Sequence, residues 1–376
     1  MARTRQQICE STSQKLAQHE HSMGDLKAVI GLDGFVDEII SVVDKRLGDD
    51  LFERVKTIDD LARKIASAAG QSSNYELVVK QMKLGGNGPI MANALASAGL
   101  AITYIGNLGY PNLHAVFEPF AAKATVISIA EPGHTDALEF EDGKLMFGKL
   151  TPLADVNWPN ILARVGREKL AELCGGAALI GMVNWTMLPH MSQVWSSLQS
   201  EVLSTLPKTG RKLFVDLADP EKRTPADIEE AMRILAGFEQ SAEVILGLNL
   251  KEAGEITHVL GLPVERDAES AIERTASAIR AALGINCVVV HPRRGAAAAL
   301  VDRSASFAGP FVTEPKISTG AGDHFNAGFC LGQVLGMELD ESLCVGVATS
   351  GYYVRTAQSP TAAELADFIA NLPPPQ

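Results

Sequence analysis

Several features that would give the chemistry away are missing from this sequence. It has five cysteines, Cys9, Cys174, Cys287, Cys330 and Cys344, an odd number with no C-x-x-C pair. That usage argues against a disulfide framework or a structural zinc site and fits reduced, mostly buried thiols. The eight histidines form no H-E-x-x-H, so isolated ones such as His190 and His258 read as surface or satisfied core residues. No G-x-G-x-x-G follows the first strand-like run, which disfavours a nicotinamide dehydrogenase, and no G-x-x-x-x-G-K-[ST] marks a P-loop enzyme. Positive charge is in short supply: 33 Lys and Arg face 45 Asp and Glu, for a net charge of -12. A broad surface for nucleic acid or an anionic membrane is therefore not expected, although a local basic pocket for phosphates stays open. No apolar run reaches the length of a membrane span, and residues 1–27 are polar, without the apolar centre of a signal peptide. The expected location is cytoplasmic.

What is present is an ordinary globular composition, 46% hydrophobic and 21% charged, over 376 residues. That length suffices for one large α/β domain or two smaller ones. Ala28-Val29-Ile30-Gly31-Leu32 reads as a buried strand. Further strand-like runs at 102–105, 125–129, 178–183, 213–215, 244–248 and 288–290 alternate with helical patterns, among them one from near Asn112, one over 160–173 and one opened by Thr224-Pro225. Such alternation predicts a doubly wound, mainly parallel sheet flanked by helices. No internal repeat or linker divides the chain, so one α/β domain over 1–376 is expected. Two inserted segments break the pattern. Residues 38–84 carry a helix capped by Thr57 and Asp60 and then a strand over 75–83, and residues 135–150 set Leu138, Phe140, Leu145 and Phe147 around a turn at Asp142-Gly143. They predict a small β-containing lid, with a surface hairpin as the competing view. A polar helix over residues 3–20 could pack on the body or on another subunit.

The most informative stretch is Ser318-Thr319-Gly320-Ala321-Gly322-Asp323-His324-Phe325-Asn326-Ala327-Gly328. Pro315 is a poor residue for a helix interior, whereas Phe325, Phe329 and Val334 suit one helical face, which puts Asp323 in the first turn of a helix. Glycines 320 and 322 leave the backbone bare. Amides of Gly320, Ala321 and Gly322 can then turn toward an anion, and the helix dipole adds positive potential there. A carboxylate beside such a hole can take a proton from a hydroxyl while the hole stabilises a phosphoryl group in transfer. Taken alone, the same residues describe a glycine turn with Asp323 as a capping residue. Asn249 and Glu252, after the strand at 244–248, add a second constellation. On one side of a first helical turn a carboxylate can order water around Mg²⁺ while the amide reaches a phosphate, a capped helix being the alternative.

Gly320 to Asp323 followed by Phe325 and Gly328 resembles the C-terminal signature of the ribokinase-like (PfkB) carbohydrate kinases. Gly85-Gly86-Asn87-Gly88 and Asn249-Leu250-Lys251-Glu252 resemble that family's G-G and N-x-x-E segments and fall in the family's order. The resemblance implies a ribokinase-like fold and an ATP-dependent kinase acting on a hydroxyl of a sugar or sugar-like substrate, with ATP and Mg²⁺ as cofactors. Asp323 would be the general base, Glu252 would hold Mg²⁺ through water, and Asn249, Glu252 and Gly295 would lie on the nucleotide side. For the sugar it implies Gly85, Gly86, Asn87 and Asp37, the last as the family's acid after the first strand; Asp33 is then left to brace the turn. Asn184, at the end of the strand at 178–183, joins the sugar contacts by position. The sequence departs from the family pattern at Phe35, Ile90, His291-Pro292-Arg293-Arg294 and Ile317. Ile317 stands where an aspartate often contributes to a monovalent-cation site, so potassium activation is not expected. The unusual loop at 291–295 leaves ADP open as donor. Arg223 is expected either to support the phosphate region or to pair with Asp216 or Asp219. A nucleoside or vitamin-precursor kinase and a non-catalytic sugar-binding regulator remain as rivals. The expected partners are a sugar and a nucleotide, with no nucleic acid and no membrane, and the family's lids suggest a homodimer through that element.

Overall fold

The computed structural model describes residues 3–265 and 267–375. Among them, strands β1 (Lys27–Gly31), β2 (Phe35–Arg46), β3 (Phe52–Arg54), β4 (Leu77–Gly85), β5 (Ala101–Gly106), β6 (Thr125–Ser128), β7 (Gly133–Glu139), β8 (Lys144–Lys149), β9 (Leu179–Val183), β10 (Lys212–Asp216), β11 (Glu243–Leu248), β12 (Cys287–Val290), β13 (Gly295–Ala299) and β14 (Ser304–Ala308) form two sheets. The larger runs β14-β13-β12-β11-β10-β9-β1-β5-β6. Pairing is parallel from β12 through to β6, and the β13–β14 hairpin is added antiparallel at one edge. β9 and β12 are buried along their whole length, as unbroken apolar runs must be when both faces of a parallel sheet are covered. One face packs around Trp158, Trp185, Trp195 and Phe238. The other packs around Tyr104, Phe117, Phe329 and Leu343.

This is the expected doubly wound, mainly parallel sheet flanked by helices. Two local expectations need correction. The single helix over 160–173 is two helices, Trp158–Arg164 and Arg167–Gly176, separated by Gly166 at φ 83°, a conformation that favours glycine and ends a helix. The helix expected from Asn112 begins later, as a single turn at Ala115–Phe117 leading into Glu118–Ala121.

The smaller sheet pairs β3-β2-β7-β8, with β4 also on β2. It grows directly from the C-terminal end of β1, since β2 starts at Phe35, three residues before the expected boundary. The helix Ile58–Ser67, capped by Thr57, seats Leu61 against Ile40, Val42, Val55, Leu138 and Phe140 and gives this sheet a small core of its own.

The N-terminal helix Arg5–His19 packs on the body, against Ala362–Ala370 and Leu339–Thr356. Its polar anchor is Glu341, whose fully buried carboxylate accepts from Arg3 Nη1 at 2.8 Å, Ser11 Oγ at 2.7 Å and Lys15 Nζ at 2.6 Å. All five cysteines are buried free thiols.

Candidate active site

Adjacent parallel strands bring polar residues to one edge of the large sheet. Asp33 follows β1, Asn184 follows β9, Asp216 ends β10, Asn249 follows β11 and His291 follows β12, all at C-terminal strand ends, where open α/β sheets bind ligands. Two helices, Asn87–Ser97 and Ala321–Val334, begin at the same edge.

The start of Asn87–Ser97 has Gly86 at its cap position, at φ 97°, so no side chain of its own can satisfy the first amides. Asp33 does this from outside. Its carboxylate accepts from Asn87 N at 3.0 Å and Gly88 N at 2.8 Å, and also from Asn184 Nδ2 at 2.8 Å. Asn87, anchored by its backbone, then donates from Nδ2 to Asp323 Oδ1 at 2.9 Å. Asp323 stands in the first turn of Ala321–Val334, behind Gly320 at φ 86°, and is only 8% exposed. Three residues along the same helix, Asn326 donates to Asp216 Oδ2 at 2.7 Å. Glu252 accepts from Asn249 N and from Asp219 N, each at 2.9 Å, while Asn249 Oδ1 accepts from Glu252 N at 3.0 Å, so the pair is also a capping box.

Three carboxyl groups here titrate near neutrality. Burial pushes Asp323 up to about 7, against the pull of the Asn87 hydrogen bond and with help from the charges of Asp33 and Glu252. Burial raises Asp216 to about 7, with the charge of Asp323 adding to it, and raises Glu252 to about 7, with the charge of Asp216 adding to it. Asp33 is raised to about 6 by burial, against the hydrogen bond from Asn184. Asp216, Glu252 and Asp323 line one cavity of about 710 Å³. Hard oxygen donors that repel one another across such a space suit a hydrated divalent cation, their oxygens being too far apart for all three to ligate one ion directly. A second acidic group, Asp219, Glu221 and Glu255, does not have that character, because Lys251 Nζ lies 2.8 Å from Asp219 and 2.5 Å from Glu221.

Of the residues expected from the sequence, Asn87, Asn249, Glu252, Gly295, Ala321, Gly322 and Asp323 line this cavity. Gly320 turns the chain behind them, and a β-carbon there would lie 3.3 Å from both Ile90 and the Tyr353 hydroxyl. The Ala321 amide donates within the loop, to Ser318 O at 3.2 Å. Gly295 lies against the Phe307 carbonyl, 2.8 Å from where a β-carbon would be. Asp37, Gly85, Gly86 and Asn184 are not among the lining residues. Asp37 stands on β2 in register with Lys83 and Thr135, its carboxylate filling the space beside Gly85 where a β-carbon would project. Asn184 is 1% exposed and faces Asp33. Arg223 takes neither expected role: it donates to Thr186 O at 2.9 Å and Leu188 O at 2.8 Å and lies over the Trp185 ring. In the sequence Asp216 reads only as an ion-pair partner of Arg223, although its position at a strand's C-terminal end is a usable signal. His291, in the sequence only a departure from the family's loop, lines the cavity, with its ring stacked on Phe325 at 4.6 Å.

The sequence profile of the prokaryotic ketohexokinases matches residues 4–372. A ketohexokinase from Haloferax volcanii is 32% identical over 354 residues, covering 92% of this chain and 91% of its own. Arabidopsis thaliana ribokinase, complexed with ribose and ATP, superposes with a TM-score of 0.59 at 16% identity, covering 92% of this chain and 99% of that one. Phosphofructokinase-2 from Escherichia coli, in complex with substrates and products, gives 0.60 at 15% identity over 92% and 99%. At those identities the two structures establish the fold, which is ribokinase-like.

Proposed function

The chain belongs to the prokaryotic ketohexokinase family, within the ribokinase-like (PfkB) carbohydrate kinases, and we propose that it transfers the γ-phosphoryl group of ATP to a hydroxyl of a ketohexose. It is a phosphotransferase with a sugar hydroxyl as acceptor. The observation that carries the finer reading is Asp323, buried at the mouth of a helix and held by Asn87.

Asn87 takes one oxygen of the Asp323 carboxylate and leaves the other for the sugar hydroxyl. A carboxylate titrating near 7 accepts that proton as the oxygen attacks phosphorus, being basic enough to take it and still ionised often enough to act. Gly322, at the start of the helix, lines the same cavity, and its amide would meet the transferred phosphoryl group together with the helix dipole. Mg²⁺, when bound with the nucleotide, supplies positive charge to the phosphate oxygens. Glu252 would hold it through water, with Asp216 beside it, and the two carboxylates would lose their mutual repulsion in doing so. An apolar wall of Pro310, Phe311, Val347 and Val354 across the cavity suits a purine base, which supports ATP rather than a small phosphate donor.

Asp37 and Gly85 lie near the end of the smaller sheet where β2 begins and β4 ends, with Gly86 leading into the helix that carries Asn87, so the sugar is assigned to the space between them and Asp323. The smaller sheet acts as its lid, excluding water that would compete with the sugar for the phosphoryl group. The lid leaves Leu77, Val79, Met82, Met146 and Phe147 between 43% and 54% exposed, which supports a homodimer through this sheet. The test is a coupled ADP-release assay with ATP and Mg²⁺ across ketohexoses, aldohexoses, sugar acids and nucleosides, repeated with ADP as donor. Turnover confined to ketohexoses with ATP is the expected result. Preference for a nucleoside, or turnover only with ADP, overturns the assignment.

A further inference from the structure

Beside Asp323 the chain carries a histidine that proton transfer does not use. The His324 ring is 2% exposed, with Nδ1 at 2.8 Å from Gly320 O and Nε2 at 2.9 Å from Ser359 Oγ. A carbonyl oxygen only accepts, so Nδ1 carries the ring proton and Nε2 accepts from the Ser359 hydroxyl. Asn93 Nδ2 donates to that same Oγ at 3.1 Å, which turns the hydroxyl toward the ring. Burial holds His324 down at about 4, so the ring stays neutral and keeps this arrangement. Its face stacks on Tyr353 at 3.6 Å, and the Tyr353 hydroxyl donates to Thr319 O at 3.0 Å.

Two consecutive carbonyls of the glycine loop, Thr319 and Gly320, are thus each held by a ring side chain, and Gly320 O, which also accepts the helix's own His324 N at 3.1 Å, has its second lone pair taken by the ring. In a trans peptide the carbonyl and the next N–H point in opposite directions. Fixing both carbonyls therefore fixes the Gly320 amide, keeps the Ala321 amide on Ser318 O, and sets the path by which the chain enters the helix carrying Gly322 and Asp323. Gly320, at φ 86° and without a side chain, cannot fix itself.

We propose that His324, backed by Tyr353 and Ser359, is a positioning residue that sets the glycine loop's peptide planes for the phosphoryl group in transfer. The proposal rests on the kinase reading above. Its test uses three variants of the full-length enzyme. His324→Phe keeps the stack and loses both ring hydrogen bonds; His324→Asn places a donor where Nδ1–H was; His324→Gln reaches only toward Ser359. The Phe variant is expected to lose about 10- to 100-fold in kcat, as for a misdirected oxyanion donor, with sugar KM and ATP Kd within about twofold of wild type. Affinity for ADP with aluminium fluoride and ketohexose should fall by the factor seen in kcat/KM. The Asn variant is expected to recover most of kcat and the Gln variant not. Equal activity of Asn and Gln, or a Phe variant with wild-type kcat, overturns the proposal, and should the Phe variant not fold, the Asn–Gln pair decides alone. A wild type silent on ketohexoses overturns the kinase reading and this proposal with it, whereas an active wild type with indifferent His324 variants overturns only the proposal.

Discussion

Asp323→Asn separates two consequences of one buried carboxylate. As a base it is irreplaceable by an amide, so kcat should fall about 10²- to 10⁴-fold. Sugar KM should change little, because the amide oxygen can still accept from Asn87. Stability should move the other way. The Asp323 carboxyl is raised from 3.8 to about 7 in the folded protein, chiefly by burial. A raised acid binds its proton more tightly when folded. Its contribution is therefore fully present below about 3.8 and is lost as pH rises through about 7. Between pH 5 and pH 8 the folded protein gives up about two units of that preference, roughly 3 kcal/mol, whereas Asn has no proton to lose. Thermal unfolding in Mg²⁺-free buffer at both pH values, beside initial rates with ATP, reads both effects. The variant is expected to gain several degrees on wild type between pH 5 and pH 8 while remaining nearly inactive. A folded variant with near-native turnover removes Asp323 from the base role, and a melting difference that stays constant from pH 5 to pH 8 refutes the buried-charge argument.

Glu252→Gln should raise the Mg²⁺ concentration needed for half-maximal activity and lower kcat about 10- to 100-fold, since the amide cannot order water around the cation as a carboxylate does; an unchanged Mg²⁺ titration would count against the assignment. Gly85→Ala puts a β-carbon on the Asp37 carboxylate, and such overpacking should cost about 1–3 kcal/mol in urea unfolding and raise sugar KM. A variant as stable as wild type would show that β4 yields freely. For Glu341, burial pushes the pKa up, but hydrogen bonds from Lys15, Ser11 and Arg3 win and hold it down at about 2. A depressed acid contributes stability above its ordinary value that is lost as pH falls toward 2. Glu341→Ala should therefore lose about 2–4 kcal/mol at pH 7, below the full cost of breaking a buried pair because both cations can turn to solvent, with phosphotransfer unchanged. A loss indistinguishable from zero would make the N-terminal helix an ornament rather than a brace.

The large sheet was legible because its central strands carry unbroken apolar runs, which only a sheet covered on both faces tolerates. The run at 28–32 and those at 178–183, 244–248 and 288–290 each became a buried parallel strand. The β13–β14 hairpin was not legible. Ala296 to Ala299 favours helix by propensity, and only pairing with β12 on one side and β14 on the other makes it a strand. Gly166 lies inside the stretch 160–173 that reads as one helix, and sequence does not say that φ there is positive.

The site divides along the same line, between what neighbours in sequence decide and what strand order decides. A glycine turn that opens a helix and a carboxylate in its first turn are local, so Asp323 and the Asn249/Glu252 pair could be read without a fold. Whether a given acid faces ligand or protein is not local. Asp33 and Asp37 stand four residues apart on one continuous path, yet Asp33 meets Asn184 because β1 lies next to β9, and meets Asn87 because the helix after β4 returns to the same edge. Those contacts use the Asp33 carboxylate to cap a helix, and the capped helix in turn places Asn87 on Asp323. Arg223 shows the converse. Its charge suggested phosphate or an ion pair, but its three donated hydrogen bonds end on the carbonyls of Trp185, Thr186 and Leu188. A residue's chemistry bounds what it can do at a site; the strand order of this sheet chooses which of those things it does.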